Sequence, residues 1–79
     1  IPSPLVVQCA LGIYGYGIEV TGVHDEQTFD IIRAFQMHFT PWQTNGEIDI
    51  GTVSTLWALL EKYFPESFDA EGELVCRNN

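Results

Sequence analysis

One spacing occurs twice in this chain and constrains its fold more than any other feature. Thr21–Phe39 and Asn45–Tyr63 superpose at an offset of 24 residues, pairing Gly22 with Gly46, Asp25 with Asp49, Thr28 with Thr52 and Ala34 with Ala58. Apolar character is kept at Phe29/Val53, Ile32/Leu56, Phe35/Leu59 and Phe39/Tyr63. Each copy thus reads Gly-x-x-Asp-x-x-Thr followed by an amphipathic helix. Asp at a helix N-cap accepts from backbone N–H groups of the first turn, and its charge suits the positive end of the helix dipole. Thr three residues on turns its hydroxyl back toward the cap, a weaker capping box. Gly three residues before the cap permits the tight turn into the helix. Such a cap contributes about 1 kcal/mol, which matters in a small domain. Two unrelated caps sharing a spacing would not also match downstream apolar positions. Gly22, Asp25, Thr28, Gly46, Asp49 and Thr52 are therefore assigned to structure.

The helices follow from these starts. One begins at Asp25 and ends near Phe39, with Pro41 blocking its continuation. Another begins at Asp49, turns Val53, Leu56, Leu59 or Leu60 and Tyr63 inward, and is closed by Pro65. Ahead of the repeat, Ser3 suits an N-cap and Pro4 the first helical position. Leu5, Val6, Cys9, Ala10 and Ile13 then form an apolar face, and Gly15 or Gly17 stops the helix. Residues 66–79 have no sustained periodicity and read as a tail or loop. The expected fold is all-α, a compact three-helix bundle over residues 1–64 with a C-terminal tail over 65–79.

The chain has three basic residues against eleven acidic ones, a net charge of −8. Phosphate neutralisation needs Lys and Arg, so nucleic acid is excluded as a partner, and anionic membrane surfaces are disfavoured. No apolar run approaches the roughly 20 residues of a membrane-spanning helix, so no membrane insertion is expected. The start, Ile1-Pro2-Ser3-Pro4, has no initiator Met and no signal-peptide pattern, and reads as a processed product or a piece of a longer protein. Cys9 and Cys76 are either two separate buried thiols or a bridge closing nearly the whole domain. The tail has no other evident anchor, which favours the bridge, contributing about 4 kcal/mol in the chain-entropy model.

The string Gly-x-x-Asp-x-x-Thr, a helix with Ala34-Phe35-Gln36, then Asn45-Gly46-Glu47-x-Asp49-x-x-Thr52 resembles the peptidoglycan-binding domain of bacterial cell-wall hydrolases. Arg33-Ala34-Phe35-Gln36-Met37-His38-Phe39, Ala58-Leu59-Leu60-Glu61-Lys62-Tyr63 and Tyr14-Gly15-Tyr16-Gly17 look like the C-terminal domain of zinc-dependent N-acetylmuramoyl-L-alanine amidases of Gram-negative envelopes. The resemblance covers about residues 5–64. Thr40 stands where that pattern has a basic residue, and Thr21-Gly22 where it has Asp-Gly. The resemblance implies a non-catalytic, monomeric wall-binding module in the periplasm or cell envelope of a Gram-negative bacterium. It further implies peptidoglycan as partner, a tethered catalytic domain elsewhere in the parent protein, and no cofactor.

The residues agree with a binder. A catalytic zinc needs three protein ligands and an open position, and only His24 and His38 are on offer, without metalloprotease spacing. No nucleophile elbow is present, and Cys9 lies on an apolar helical face. The expected ligand-binding residues are those a rigid scaffold presents in its connections: Tyr14, Tyr16, Trp42, Gln43 and Asn45. For the tyrosines, roofing the core is a competing role. Trp42, after Pro41, is expected to be partly exposed and Trp57 to lie in the core. Gln36 and His38 are expected to hydrogen-bond the neighbouring loop backbone. The other class of function open to such a chain is a protein–protein or intramolecular docking module that has kept the fold without glycan binding.

Overall fold

A computed structural model describes residues 1–76. Within it the chain forms α1 (Pro4–Tyr14), α2 (Glu26–Phe39) and α3 (Ile50–Tyr63), then a single 3-10 turn, Pro65–Ser67. Its dimensions are 33 × 24 × 21 Å. Ser3 caps α1 and Pro4 occupies its first turn, and Gly15, at φ 129°, ends it with its N–H on the Leu11 and Gly12 carbonyls. Asp25 and Asp49 cap α2 and α3. Thr40 and Phe64 are the C-caps of α2 and α3, each one residue before a proline.

The core lies between the three helices. Val7, Ala10 and Leu11 of α1 meet Ile32 and Phe35 of α2 and Leu56 and Leu60 of α3. This corrects the expected face of α1: Leu5, Val6 and Ile13 are only half-buried, and the turn centred on Val7–Leu11 faces inward. Almost every residue of α1 is apolar, so periodicity alone cannot select its buried side. Tyr63 is also corrected, being 55% exposed at the end of α3 where the helix has passed the core. Trp57 is half-buried and packs against the core edge.

The C-terminal segment is more ordered than its lack of periodicity suggests. After the 3-10 turn, Phe68 and Leu74 form an isolated antiparallel bridge, closed by a bend at Gly72 with φ 81°. Both side chains pack on the core. Cys76 is joined to Cys9 of α1, with Cα atoms 5.7 Å apart and a sequence separation of 67. Arg77, Asn78 and Asn79 lie outside the described residues. No described helix is long and apolar enough to cross a membrane.

Candidate functional site

The two helix starts are built alike. Asp25 Oδ1 accepts from the Thr28 backbone N–H at 2.9 Å and from its hydroxyl at 2.7 Å. Asp49 Oδ1 accepts from the Thr52 N–H at 2.7 Å. Gly22 and Gly46 take φ values of 81° and 75°, which only glycine adopts readily. Hydrogen bonding to the charged form holds both carboxyls below the usual Asp value. The Thr28 hydroxyl is the main cause for Asp25 and the Thr52 side chain for Asp49. Thr21, where the resembled pattern has Asp, supplies a hydroxyl to Asp25 Oδ2 at 3.1 Å.

Each turn is also gripped from the preceding helix by a fully buried glutamine. The Gln8 carbonyl accepts from the N–H groups of Thr21 and Gly22, both at 2.9 Å. Its amide nitrogen donates to Thr28 Oγ1 at 2.7 Å and to the Val23 carbonyl at 2.8 Å. Gln36 repeats the arrangement: its carbonyl accepts from the Gly46 N–H at 2.7 Å, and its nitrogen donates to Thr52 Oγ1 at 2.9 Å. A buried amide must satisfy both ends, and here both do. Gln36 thus has the loop-bonding role expected of it, whereas Gln8 was missed. Its one signal was a lone polar residue in the apolar run Leu5–Ile13.

Beyond the second turn the surface opens into a groove of about 550 Å³. The loop after α2 supplies Thr40, Trp42 and Gln43, and the first turn of α3 with its approach supplies Ile48, Asp49 and Ile50. Trp42 is 78% exposed and Ile50 70% exposed, so two large apolar side chains stand in solvent beside one another's elements. The loop itself is closed: the Gln43 N–H donates to the Thr40 carbonyl at 2.9 Å, and the Thr40 N–H to the Gln36 carbonyl at 2.7 Å. Thr40, in place of a basic residue, is buried with its hydroxyl between the Gln36 and Gln43 carbonyls.

The five candidate ligand-binding residues do not converge. Trp42 and Gln43 line the groove together. Tyr14 and Tyr16 are half-buried and roof the core: Tyr14 meets Phe39 and Phe64 edge-on, and Tyr16 meets Phe35. Burial pushes the Tyr16 phenol above its usual pKa, with Tyr14 beside it adding to the effect. Asn45 is exposed, but its side-chain oxygen accepts from the Glu47 N–H at 3.0 Å and from Gln36 at 3.2 Å, so it shapes the turn. His24 ties the two turns together, its Nε2 donating to the Gly46 carbonyl at 3.0 Å. His38 is a correction: it is exposed, lies edge-on against Phe39 and makes no hydrogen bond to the loop backbone among the described residues. The described residues contain no cluster of three His, Cys, Asp or Glu side chains placed to hold a metal.

Comparison with known proteins gives this architecture its context. Residues 3–63 match the family described as "Putative peptidoglycan binding domain". A stretch of 53 residues is 47% identical to the N-acetylmuramoyl-L-alanine amidase AmiD of Escherichia coli (strain K12). That stretch is 67% of this chain but only 19% of the amidase, so the chain spans about a fifth of that relative. No solved structure matches significantly. The matched family is a binding family and not a catalytic one. With the match running from the cap of α1 to the last residue of α3, the chain belongs to the peptidoglycan-binding domain family.

Proposed function

We propose that this domain is a non-catalytic module that holds an attached wall hydrolase, an N-acetylmuramoyl-L-alanine amidase, against peptidoglycan in the periplasm of a Gram-negative bacterium. The observation that carries the reading is Trp42, exposed on a groove in a domain of a wall-binding family. The partial match to an amidase supports the attached enzyme. Residues 1–64 act as the binding unit, as a monomer, and the following segment straps it through Cys76. Trp42 and Gln43 meet the ligand, Asn45 shapes the neighbouring turn, and Tyr14 and Tyr16 roof the core. Tethering raises the effective concentration of the enzyme at the wall, to the millimolar range for a short flexible linker, without adding chemistry.

Sedimentation with purified sacculi tests this. The domain should pellet with them, and Trp42→Ala should cut the pelleted fraction about tenfold while leaving helicity unchanged. A domain that stays in the supernatant while a known wall binder pellets would sink the proposal. The net charge of −8 supports one second reading, a docking module for a basic protein partner. That reading predicts no sacculus binding and a salt-sensitive complex with the partner.

A further inference from the structure

The wall polymer offers two chemically different surfaces, and the groove beside Trp42 is built for one of them. Its glycan strands are N-acetylated sugars presenting C–H faces, hydroxyls and acetamido groups. Its stem peptides carry free carboxylates. The groove presents Ile1, Trp42, Ile48 and Ile50 as apolar surface, with Gln43 and Asp49 among its polar groups. Among the described residues no Lys, Arg or His lines it. A carboxylate entering here would meet no basic side chain and would face the ionised Asp49. The one cationic group at the lining is the backbone ammonium of Ile1, which is absent wherever Ile1 is joined to a preceding segment.

The polar groups have capacity to spare. Asp49 Oδ1 is occupied by the Thr52 N–H at 2.7 Å. Asp49 Oδ2 is 3.5 Å from Gln43 Nε2, at the outer limit of a hydrogen bond. That oxygen is available to a hydroxyl or an amide N–H, and the Gln43 amide can bond an acetamido carbonyl. The indole, mostly in solvent, offers a flat face for a sugar ring, in the general pattern of an apolar surface with a few placed polar groups. Resting on the wall-binding reading above, we infer that this groove takes the neutral N-acetylated glycan strand of peptidoglycan and not its stem peptides.

The charge of the whole domain gives the inference a second handle. At −8, the domain is repelled at long range by a wall whose peptides are anionic. Salt screens that repulsion over about 10 Å at 0.1 M and leaves stacking and neutral hydrogen bonds intact. Binding through the glycan therefore holds or strengthens with salt. A cationic peptide group docked on Asp49 would give the opposite trend.

The test uses the 79-residue chain, its Ile1 amine acetylated so that the groove lining holds no ammonium. Three probes are offered to it: intact sacculi, a soluble tetrasaccharide of N-acetylglucosamine, and free stem tetrapeptide. Pelleting on sacculi between about 20 mM and about 500 mM NaCl is expected to stay level or rise. Indole fluorescence is expected to shift with the tetrasaccharide and not with the tetrapeptide, and Trp42→Ala should abolish that shift. The Asp49→Asn variant keeps a competent N-cap but loses a groove acceptor, and should weaken tetrasaccharide binding about threefold. Met37→Ala, exposed on α2 and outside the groove lining, should leave it unchanged. Sacculus binding that collapses at high salt, or a response to the tetrapeptide alone, overturns the inference and leaves the proposed function standing. Sacculus binding with no response to the tetrasaccharide does the same. No binding to sacculi under any condition removes both.

Discussion

The two helix starts share a sequence pattern and a hydrogen-bonding plan, yet they sit in different surroundings. At the first, a Cβ on Gly22 would meet Leu5 side-chain atoms at 3.6 Å, an ordinary contact. At the second, a Cβ on Gly46 would lie 2.8 Å from two Phe29 ring carbons and 2.9 Å from Arg33 Cγ. The glutamine of the first turn grips partners that are partly open to water, Thr21 and Gly22. The glutamine of the second grips a buried Gly46 N–H. The second turn is thus packed against α2 from within, and from the other side it supports the groove with Trp42. A repeat can keep its capping chemistry while one copy serves packing and the other carries a surface.

That contrast can be broken by experiment, beginning with the largest effect. Replacing Cys9 and Cys76 by Ser should cost about 4 kcal/mol in urea unfolding, given the 67-residue separation. Because Cys9 adjoins Gln8 on α1, amide exchange at Thr21 and Gly22 should accelerate before exchange at Gly46 does. Equal acceleration in both turns would show that they are not independently supported.

The glycine pair comes next. Gly46→Ala should destabilise by about 3 kcal/mol, combining the positive φ with the Phe29 clash. Gly22→Ala should cost about 1 kcal/mol, from backbone strain alone. Equal losses would erase the distinction drawn between the turns. A similar asymmetry is expected of the glutamines by thermal or urea unfolding. Gln36→Leu strands a buried donor and should cost about 3 kcal/mol, whereas Gln8→Leu, whose turn partners water can reach, should cost about 1.5 kcal/mol.

The smallest effect is on pH dependence. Both Asp25 and Asp49 sit below the ordinary Asp value of 3.8 when folded, so the unfolded chain binds more protons in acid. The stability they contribute is whole above that ordinary value and is lost as pH falls through the lowered folded values. Urea midpoints should therefore fall below about pH 4, and Asp25→Asn with Asp49→Asn should flatten that slope while preserving the caps. An unchanged slope in the double variant would assign the acid sensitivity to other carboxyls.

The helix starts were legible in the sequence because capping is local: Asp, Thr and Gly act on backbone groups within three residues of themselves. The glutamine grips were not. Gln8 precedes its glycine by fourteen residues and Gln36 by ten, so the 24-residue repeat does not carry one onto the other. Their pairing exists only once the helices have packed. The C-terminal segment was hidden for a similar reason, since Phe68 and Leu74 share a face through a turn at Gly72 and not through a period. Exposure of Trp42 could be read from Pro41, which stops α2 and throws the next residue outward. That its neighbours in the groove would be Asp49 and Ile50 of the following helix start required the folded turn between them.

The closed loop that bears Trp42 has a consequence for how a ligand is met. Thr40 is locked under Gln36 and Gln43, Pro41 has one fixed backbone angle, and the Gln43 N–H returns to Thr40. The indole is therefore held out on a stiff bracket instead of a mobile arm. Little backbone entropy remains to be lost on contact, so weak contacts with a single sugar face retain most of their free energy. Such a surface suits an anchor that must grip and release many identical sites along a polymer. It engages quickly because nothing has to rearrange first, and lets go easily because no part of the domain has closed over what it holds.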